Sequence, residues 1–457
     1  MKRFFLIFVA MTIMSCSFDN KTGIWKDISD TVVDNKNVET IEGSNTVSRY
    51  EDVLLKNQSF NKEKKPIKES NIKADTSVRV LNWHEQFAIS SNNISNFSYS
   101  DNRTIVSKGP KLSKFFTSKK YSNESIVFYN NKLISHDHKG TIFIYDRDLK
   151  KKVFEYNFYK KKFKKIDKKI SLLVNNSTLY AADNLGYLYA INLEKKLLIW
   201  AKNYGIPFRS NLKHTQNQIF LANQDNTIYS INDKNGNKNW QFETGVTFIK
   251  SDFKNNFALD IINNNLFFLN TSGELYSLDY LKQKINWVLN FKNRTLSADT
   301  KLFLGQPLIF KNNNLIVSTS KAVLNYNTLN ASRKWIFPAT IIKKPIITSN
   351  YTYIITKDNL LVCLDNVSGK VVWSKYIYRT LSEKKIKKKI GEIHDFKIVN
   401  KKINIYSKNG YLLSFDFKNG ELSYLNKISK HGISSMVFFL NNNMLFIDNK
   451  YKLFQYN

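Results

Sequence analysis

From Gly140 to the C-terminus the apolar positions come in short runs bounded by turn-forming residues, and the runs repeat one phrase. A Gly or Asn opens it. A mostly apolar run follows, then Asp or Asn, a short polar turn, and a second run carrying an aromatic residue. Copies begin at Gly140 (GTIFIYD), Gly186 (GYLYAIN), Asn226 (NTIYSIN), Gly273 (GELYSLD), Lys321 (KAVLNYN), Asn359 (NLLVCLD), Gly410 (GYLLSFD) and Tyr451 (YKLFQYN), and successive starts lie 38 to 51 residues apart. Another apolar run precedes each phrase, as in Gln218–Ala222. Short runs rich in Val, Ile, Tyr and Phe, bounded by Asn, Asp and Gly, are strands. Each copy therefore supplies three strands and two turns.

Strand-only repeats of about 40–50 residues predict a β-propeller, here all-β and eight-bladed. The runs are nearly continuously apolar because both faces of a blade pack on neighbouring blades. The repeat aromatic is Trp200, Trp240, Trp287, Trp335 or Trp373, with Phe154 and Tyr424 substituting in the first and seventh copies. The eighth copy ends at Asn457 without its last strand. Ser77–Trp83 (SVRVLNW) has the form of that strand, with Trp83 as its aromatic. It is expected to complete the last blade, closing the ring and removing exposed sheet edges.

The N-terminus follows a different pattern. Met1-Lys2-Arg3 is a basic start, and Phe4–Met14 is an apolar run too short to span a bilayer, which takes about 20 residues. It ends in Ile13-Met14-Ser15-Cys16, which resembles the bacterial lipobox: an aliphatic residue, a spacer, a small residue and the cysteine that receives the acyl chains. Residues 1–15 are therefore expected to be a lipoprotein signal peptide. Residues 16–75, rich in Asn, Lys, Ser, Asp and Thr with no sustained period, follow as the lipidated Cys16 and a flexible polar tether. Residues 76–457 form the propeller. Ser17 follows the cysteine where aspartate would favour inner-membrane retention, so the anchor points to the outer membrane, facing the periplasm.

Charge and cysteine content alter this reading little. The net charge of +33 would suit nucleic acid or an anionic membrane surface. Lys, Asn, Ile, Phe and Tyr are abundant together, however, as an A+T-rich coding sequence produces, and an exported chain does not meet nucleic acid. Two cysteines, Cys16 and Cys363, exclude a disulfide framework and a four-cysteine zinc site. Cys363 lies in the apolar run Leu360–Leu364 and reads as core.

Phrases such as GELYSLD and NTIYSINDKNGNKNW resemble the pyrroloquinoline-quinone-type propeller repeat. Lipobox, polar tether and eight such repeats together resemble the BamB family of outer-membrane assembly lipoproteins. The likeness covers roughly residues 77–457 and extends to Gly205–Ser210, which contains Arg209, and to Thr271–Leu278. It implies a non-catalytic periplasmic scaffold without cofactor or metal. Such a scaffold docks through loops of one ring face on a BamA-like barrel-inserting subunit of the assembly (BAM) complex. It also assists the insertion of outer-membrane proteins. Leu296–Thr300 is a shortened match to one family contact loop, which makes Asp299 a contact candidate. The preceding family loop carries Leu-Arg-Gly, whereas this chain has Thr247–Ser251, so Lys250 stands in for the charge. Arg209 is the third candidate contact.

Two alternatives stand beside this reading. One is another envelope partner for the same lipoprotein. The other is a quinoprotein dehydrogenase, whose family holds its quinone with an adjacent-cysteine disulfide and a calcium site; this sequence has neither adjacent cysteines nor calcium-ligand spacing. His136-Asp137-His138 has the alternation of a metal pair but occupies the turn position that reads Asp183-Asn184-Leu185 in the next copy. The lysine-rich runs Lys160–Lys169 and Lys384–Lys389 fall between blades, as solvated loops or as contacts to anionic lipid.

Overall fold

The computed structural model describes residues 17–19, 24–26, 39–40, 47–50, 59–67, 72–102, 104–112, 125–159, 163, 165–245, 256–291, 305–379 and 388–457. Eight sheets, each built on four antiparallel strands, stand as the blades of a propeller. Blade 1 comprises Val127–Tyr129, Lys132–His136, Thr141–Asp146 and Lys151–Asn157, running outward from the axis. Blade 2 is Ile170–Asn175, Thr178–Asp183, Tyr187–Asn192 and Leu197–Asn203. Blade 3 is Lys213–Thr215, Gln218–Ala222, Thr227–Asn232 and Lys238–Glu243. Blade 4 is Phe257–Asp260, Asn265–Leu269, Glu274–Asp279 and Lys284–Asn290. Blade 5 is Ile309–Lys311, Asn314–Ser318, Val323–Asn327 and Arg333–Phe337. Blade 6 is Ile346–Ile347, Tyr351–Ile355, Leu360–Asp365 and Val371–Tyr376. Blade 7 is Ile393–Val399, Lys402–Ser407, Tyr411–Asp416 and Leu422–Lys427. Blade 8 is Phe438–Leu440, Asn443–Ile447 and Lys452–Tyr456, completed by Ile105–Lys111.

Each blade thus has four strands where the hydrophobic pattern shows three. The additional one is the innermost, as short as two residues in Ile346–Ile347. Its signal is the turn that follows it. Asn130-Asn131, Asn312-Asn313 and Asn441-Asn442 have both residues at positive φ, the geometry of a two-residue type I′ hairpin, which Asn tolerates better than most residues. The turn between the second and third strands also recurs. Asp183, Asn223, Asn270 and Asp448 each accept two backbone N–H bonds, from residues two and four positions on. His136-Asp137-His138 occupies this turn in blade 1, where Asp137 Oδ1 accepts from the Thr141 amide.

The repeat aromatics sit on outer strands and bind the next blade. The indole N–H of Trp200, Trp287 and Trp335 donates to the carbonyls of Asp233, Thr328 and Asn366, each in the last turn of the following blade. Gly369, in that turn of blade 6, shows the fit: a Cβ there would lie 2.5 Å from the Trp335 side chain, at φ +67°. A small or narrow residue faces the aromatic across the sheet, such as Ala190, Ser230 or Ser277. Cys363 fills this slot opposite Trp373 and is fully buried, as its core reading requires. Third strands such as Tyr187–Asn192 are buried over four consecutive residues, and outer strands such as Leu197–Asn203 are largely exposed.

The ring is closed by an N-terminal strand, but not by Ser77–Trp83. Ile105–Lys111 pairs antiparallel with Lys452–Tyr456. An outermost strand needs few apolar side chains, and Ile105 and Val106 remain about half exposed, so the segment lacks the expected hydrophobic signature. Trp83 is not a repeat aromatic. It pairs with Phe128 on the innermost strand of blade 1 and packs against Phe97 and Phe438. Parts of the segment expected to be a tether also lie on the ring. Glu39–Thr40 and Val47–Tyr50 add parallel fifth strands to blades 3 and 4. The Phe60 amide bonds the Pro338 carbonyl, and Lys64 pairs with Ser374 on the outer strand of blade 6.

Candidate functional site

Residues 75–100 are polar and asparagine-rich, including the stretch Ser90-Ser91-Asn92-Asn93-Ile94-Ser95-Asn96. Such a segment makes no regular ladder of its own, but its carboxamides and free backbone groups can bond strands that converge from different directions. This segment fills the axis of the ring and bonds the innermost strand, or the turn after it, in every blade. Trp83 and Phe128 of blade 1 exchange both backbone bonds. The carbonyls of His84, Ser90, Ser91 and Val80 accept from Val174, Leu259, Phe310 and Asn441 in blades 2, 4, 5 and 8. Asn93 pairs both ways with the backbone of Ile347 in blade 6, and Phe97 bridges Val399 in blade 7. Lys213 of blade 3 donates to Glu85 and Asn92. The axis is therefore plugged by the chain itself.

Asn92 is the hub of the plug. Its Nδ2 donates to the Phe257 and Leu308 carbonyls at 2.6 and 2.8 Å. Its Oδ1 accepts from Lys213 Nζ at 2.6 Å, and its carbonyl accepts from Lys344 Nζ at 2.9 Å. One residue thus ties together blades 3, 4, 5 and the connection into blade 6. Lys213 is fully buried; burial pulls its pKa down and the Glu85 carboxylate opposes the shift. Lys344 is lowered to about 7, first by burial and then by Lys397 and Lys213, with Asp395 opposing. Lys397 Nζ is held by the Asp395 carboxylate at 2.6 and 2.7 Å.

The sequence-derived contact candidates lie elsewhere. Asp299 and Lys250, with the loops that contain them, fall outside the described residues, as does Cys16. Arg209 is described. It sits on the connection from blade 2 to blade 3, its amide bonded to the Ala222 carbonyl, and burial lowers its guanidinium pKa. Of the lysine-rich runs, Lys165, Lys169, Lys388 and Lys389 are described and exposed, whereas Lys168 is buried, its ammonium 4.8 Å from the Tyr159 ring centroid. The plug residues Glu85, Asn92 and Asn93 and the axial Lys213 and Lys344 carry no motif. Their one sequence signal is the crowding of Asn at 92, 93 and 96 in a segment otherwise read as a linker.

Among the described residues, no three His, Cys, Asp or Glu side chains cluster as metal ligands, and no helix is long and apolar enough to cross a membrane. The fold is similar to that of BamB from Moraxella catarrhalis, at 12% identity over 78% of this chain and 99% of that one, with a TM-score of 0.60. It is also similar to the quinohemoprotein alcohol dehydrogenase from Comamonas testosteroni, at 8% identity over 85% and 82% of the two chains and a TM-score of 0.58. These likenesses establish the ring and leave its role open. In sequence, the outer membrane protein assembly factor BamB of Moranella endobia (strain PCIT) is 19% identical over 284 residues, covering 56% of this chain and 67% of that protein. The family described as outer membrane protein assembly factor BamB matches residues 138–375 and 263–454, together more than half of the sequence. The chain belongs to the BamB family.

Proposed function

We propose that the protein is a non-catalytic scaffold of the outer-membrane β-barrel assembly machinery, lipid-anchored through Cys16 and facing the periplasm. In this reading it docks on a BamA-like barrel-inserting subunit and assists the insertion of outer-membrane proteins. The inter-blade connections that carry Arg209, Lys250 and Asp299 form the docking face. Family membership supports the assembly role. The observation that carries the scaffold reading is the plug: the chain fills its own axis from the side of the first hairpin turns, which leaves the connections and blade edges as the surfaces for partners. Residues 1–15 act as the signal peptide, and the chain between Cys16 and the plug links the anchor to the ring.

The test is a pull-down from gently solubilised membranes with Cys16 intact, read by mass spectrometry. A BamA-like subunit is expected, and its yield should fall in Asp299→Ala, Lys250→Ala or Arg209→Ala. Enrichment of a different envelope partner in its place would refute the assembly role while leaving the ring intact. Quinone absorbance in the purified protein would favour the dehydrogenase reading.

A further inference from the structure

On the side of the plug tip from which the innermost strands start, the described residues at the axis carry more positive than negative charge. Lys213 of blade 3, Lys397 of blade 7, and Lys343 and Lys344 leading into blade 6 contribute four ammonium groups. Glu85 and Asp395 contribute two carboxylates, each already engaged by a lysine. Lys343 and Lys344 are the groups left over, and Lys344 is the one bonded to the plug. Its described contacts are the Asn92 and Pro345 carbonyls at 2.9 and 3.4 Å and the Phe87 ring at 5.3 Å, and no described carboxylate lies within ion-pair distance. Because Lys213 and Lys344 bond two oxygens of the same residue, Asn92, their charges stand close together. Lys344 retains partial exposure, so it borders open space.

Concentrated like charge with too few counter-charges is costly in a partly buried setting, and an anion offsets that cost by meeting several ammonium groups at once. Lysines from three blades supply point charges without the planar fork of arginine, which suits a compact oxyanion that does not need bidentate geometry. We propose that the axial space beside the plug tip is a binding site for a small phosphate-type oxyanion, held by the partly exposed Lys344, with the buried charges of Lys213 and Lys397 adding to the positive field around it. The depressed basicity of Lys344 agrees with this: burial lowers it most, and the Lys397 and Lys213 charges add to the effect against Asp395. The bound anion would brace the plug against the connection into blade 6.

The experiment is calorimetric titration of the purified full chain at pH 7 and constant ionic strength, with inorganic phosphate and, separately, glycerol phosphate. A saturable single site is expected. Lys344→Gln should weaken it roughly thirtyfold, as loss of one partner from a buried charged contact does, and Lys344→Arg should restore most of the affinity. Asp395→Asn removes a competing negative charge and should tighten binding, an effect that a purely structural role would not produce. It also serves as the test if Lys344→Gln fails to fold. Equal affinity for both probes would identify a site that admits a headgroup ester, and binding of inorganic phosphate alone an enclosed site for the free ion. Absence of saturable heat, or equal binding by wild type, Lys344→Gln and Asp395→Asn, would overturn the proposal.

Discussion

Replacing Asn92 tests whether the plug holds the ring or merely lies within it. Asn92→Ala removes two donated bonds, to the Phe257 and Leu308 carbonyls, and one accepted bond from the Lys213 ammonium. Two neutral bonds contribute about 1 kcal/mol each and the charge-assisted one about 2. Asn92 also has φ +60°, where alanine costs about 1 kcal/mol more than asparagine or glycine. The expected loss is about 5 kcal/mol for Asn92→Ala and about 4 for Asn92→Gly, which removes the side chain without the backbone penalty. A ring of eight blades need not unfold in one step, so chemical denaturation should be paired with hydrogen exchange. The amides of Phe257–Asp260 and Ile309–Lys311, on the innermost strands that Asn92 bridges, should lose protection before those of third strands such as Tyr187–Asn192. If both variants lose less than about 1 kcal/mol and these amides stay protected, the plug does not brace the axis and the reasoning fails.

Two further predictions concern closure and charge. Ser107 and Gln455 face each other across the closing pair, so Ser107→Cys with Gln455→Cys should form a disulfide on oxidation, seen as a mobility shift on a non-reducing gel; no cross-link would refute the register. Lys344 has a folded pKa of about 7 against 10.5 for a free lysine, so between those pH values the unfolded chain binds more protons. Stability should therefore rise with pH across that window, and the rise should be smaller in Lys344→Met. Denaturation midpoints at pH 7, 8.5 and 10 read the difference, and parallel profiles for the two proteins would contradict it.

The eight-fold repeat was readable because third strands are buried on both faces, and that demands unbroken apolar runs such as Leu188–Ile191. Outer tryptophans were readable because each must reach the next blade. The innermost strands were not, since residues at the axis have little room, and two or three suffice when an Asn-Asn turn follows. The closing strand failed for the opposite reason. Ile105–Lys111 lies at the periphery of blade 8, where exposure removes the pressure for apolar side chains, whereas Ser77–Trp83 copies the apolar run and aromatic of a blade strand and serves the plug.

The plug shows why composition misleads at the centre of such a ring. Eight innermost strands converge on the axis, and their inner-facing backbone groups have no ninth sheet to pair with. Water could satisfy them, but only by keeping the axis open. A segment that closes it must present donors and acceptors in eight directions, which no regular strand does and an Asn- and Ser-rich coil can. Asn93 shows the solution in one residue: its carboxamide donates to the Ile347 carbonyl and accepts from the Ile347 amide, so one side chain does the work of a paired strand. Polar composition, read along the chain as the mark of a linker, here follows from the work of filling an axis that apolar side chains would leave with unpaired backbone. The same need explains the axial cations. Lys213 and Lys344 bond plug oxygens that the strands themselves do not reach, and Lys344, which no described carboxylate pairs, is the charge that the proposed anion would answer.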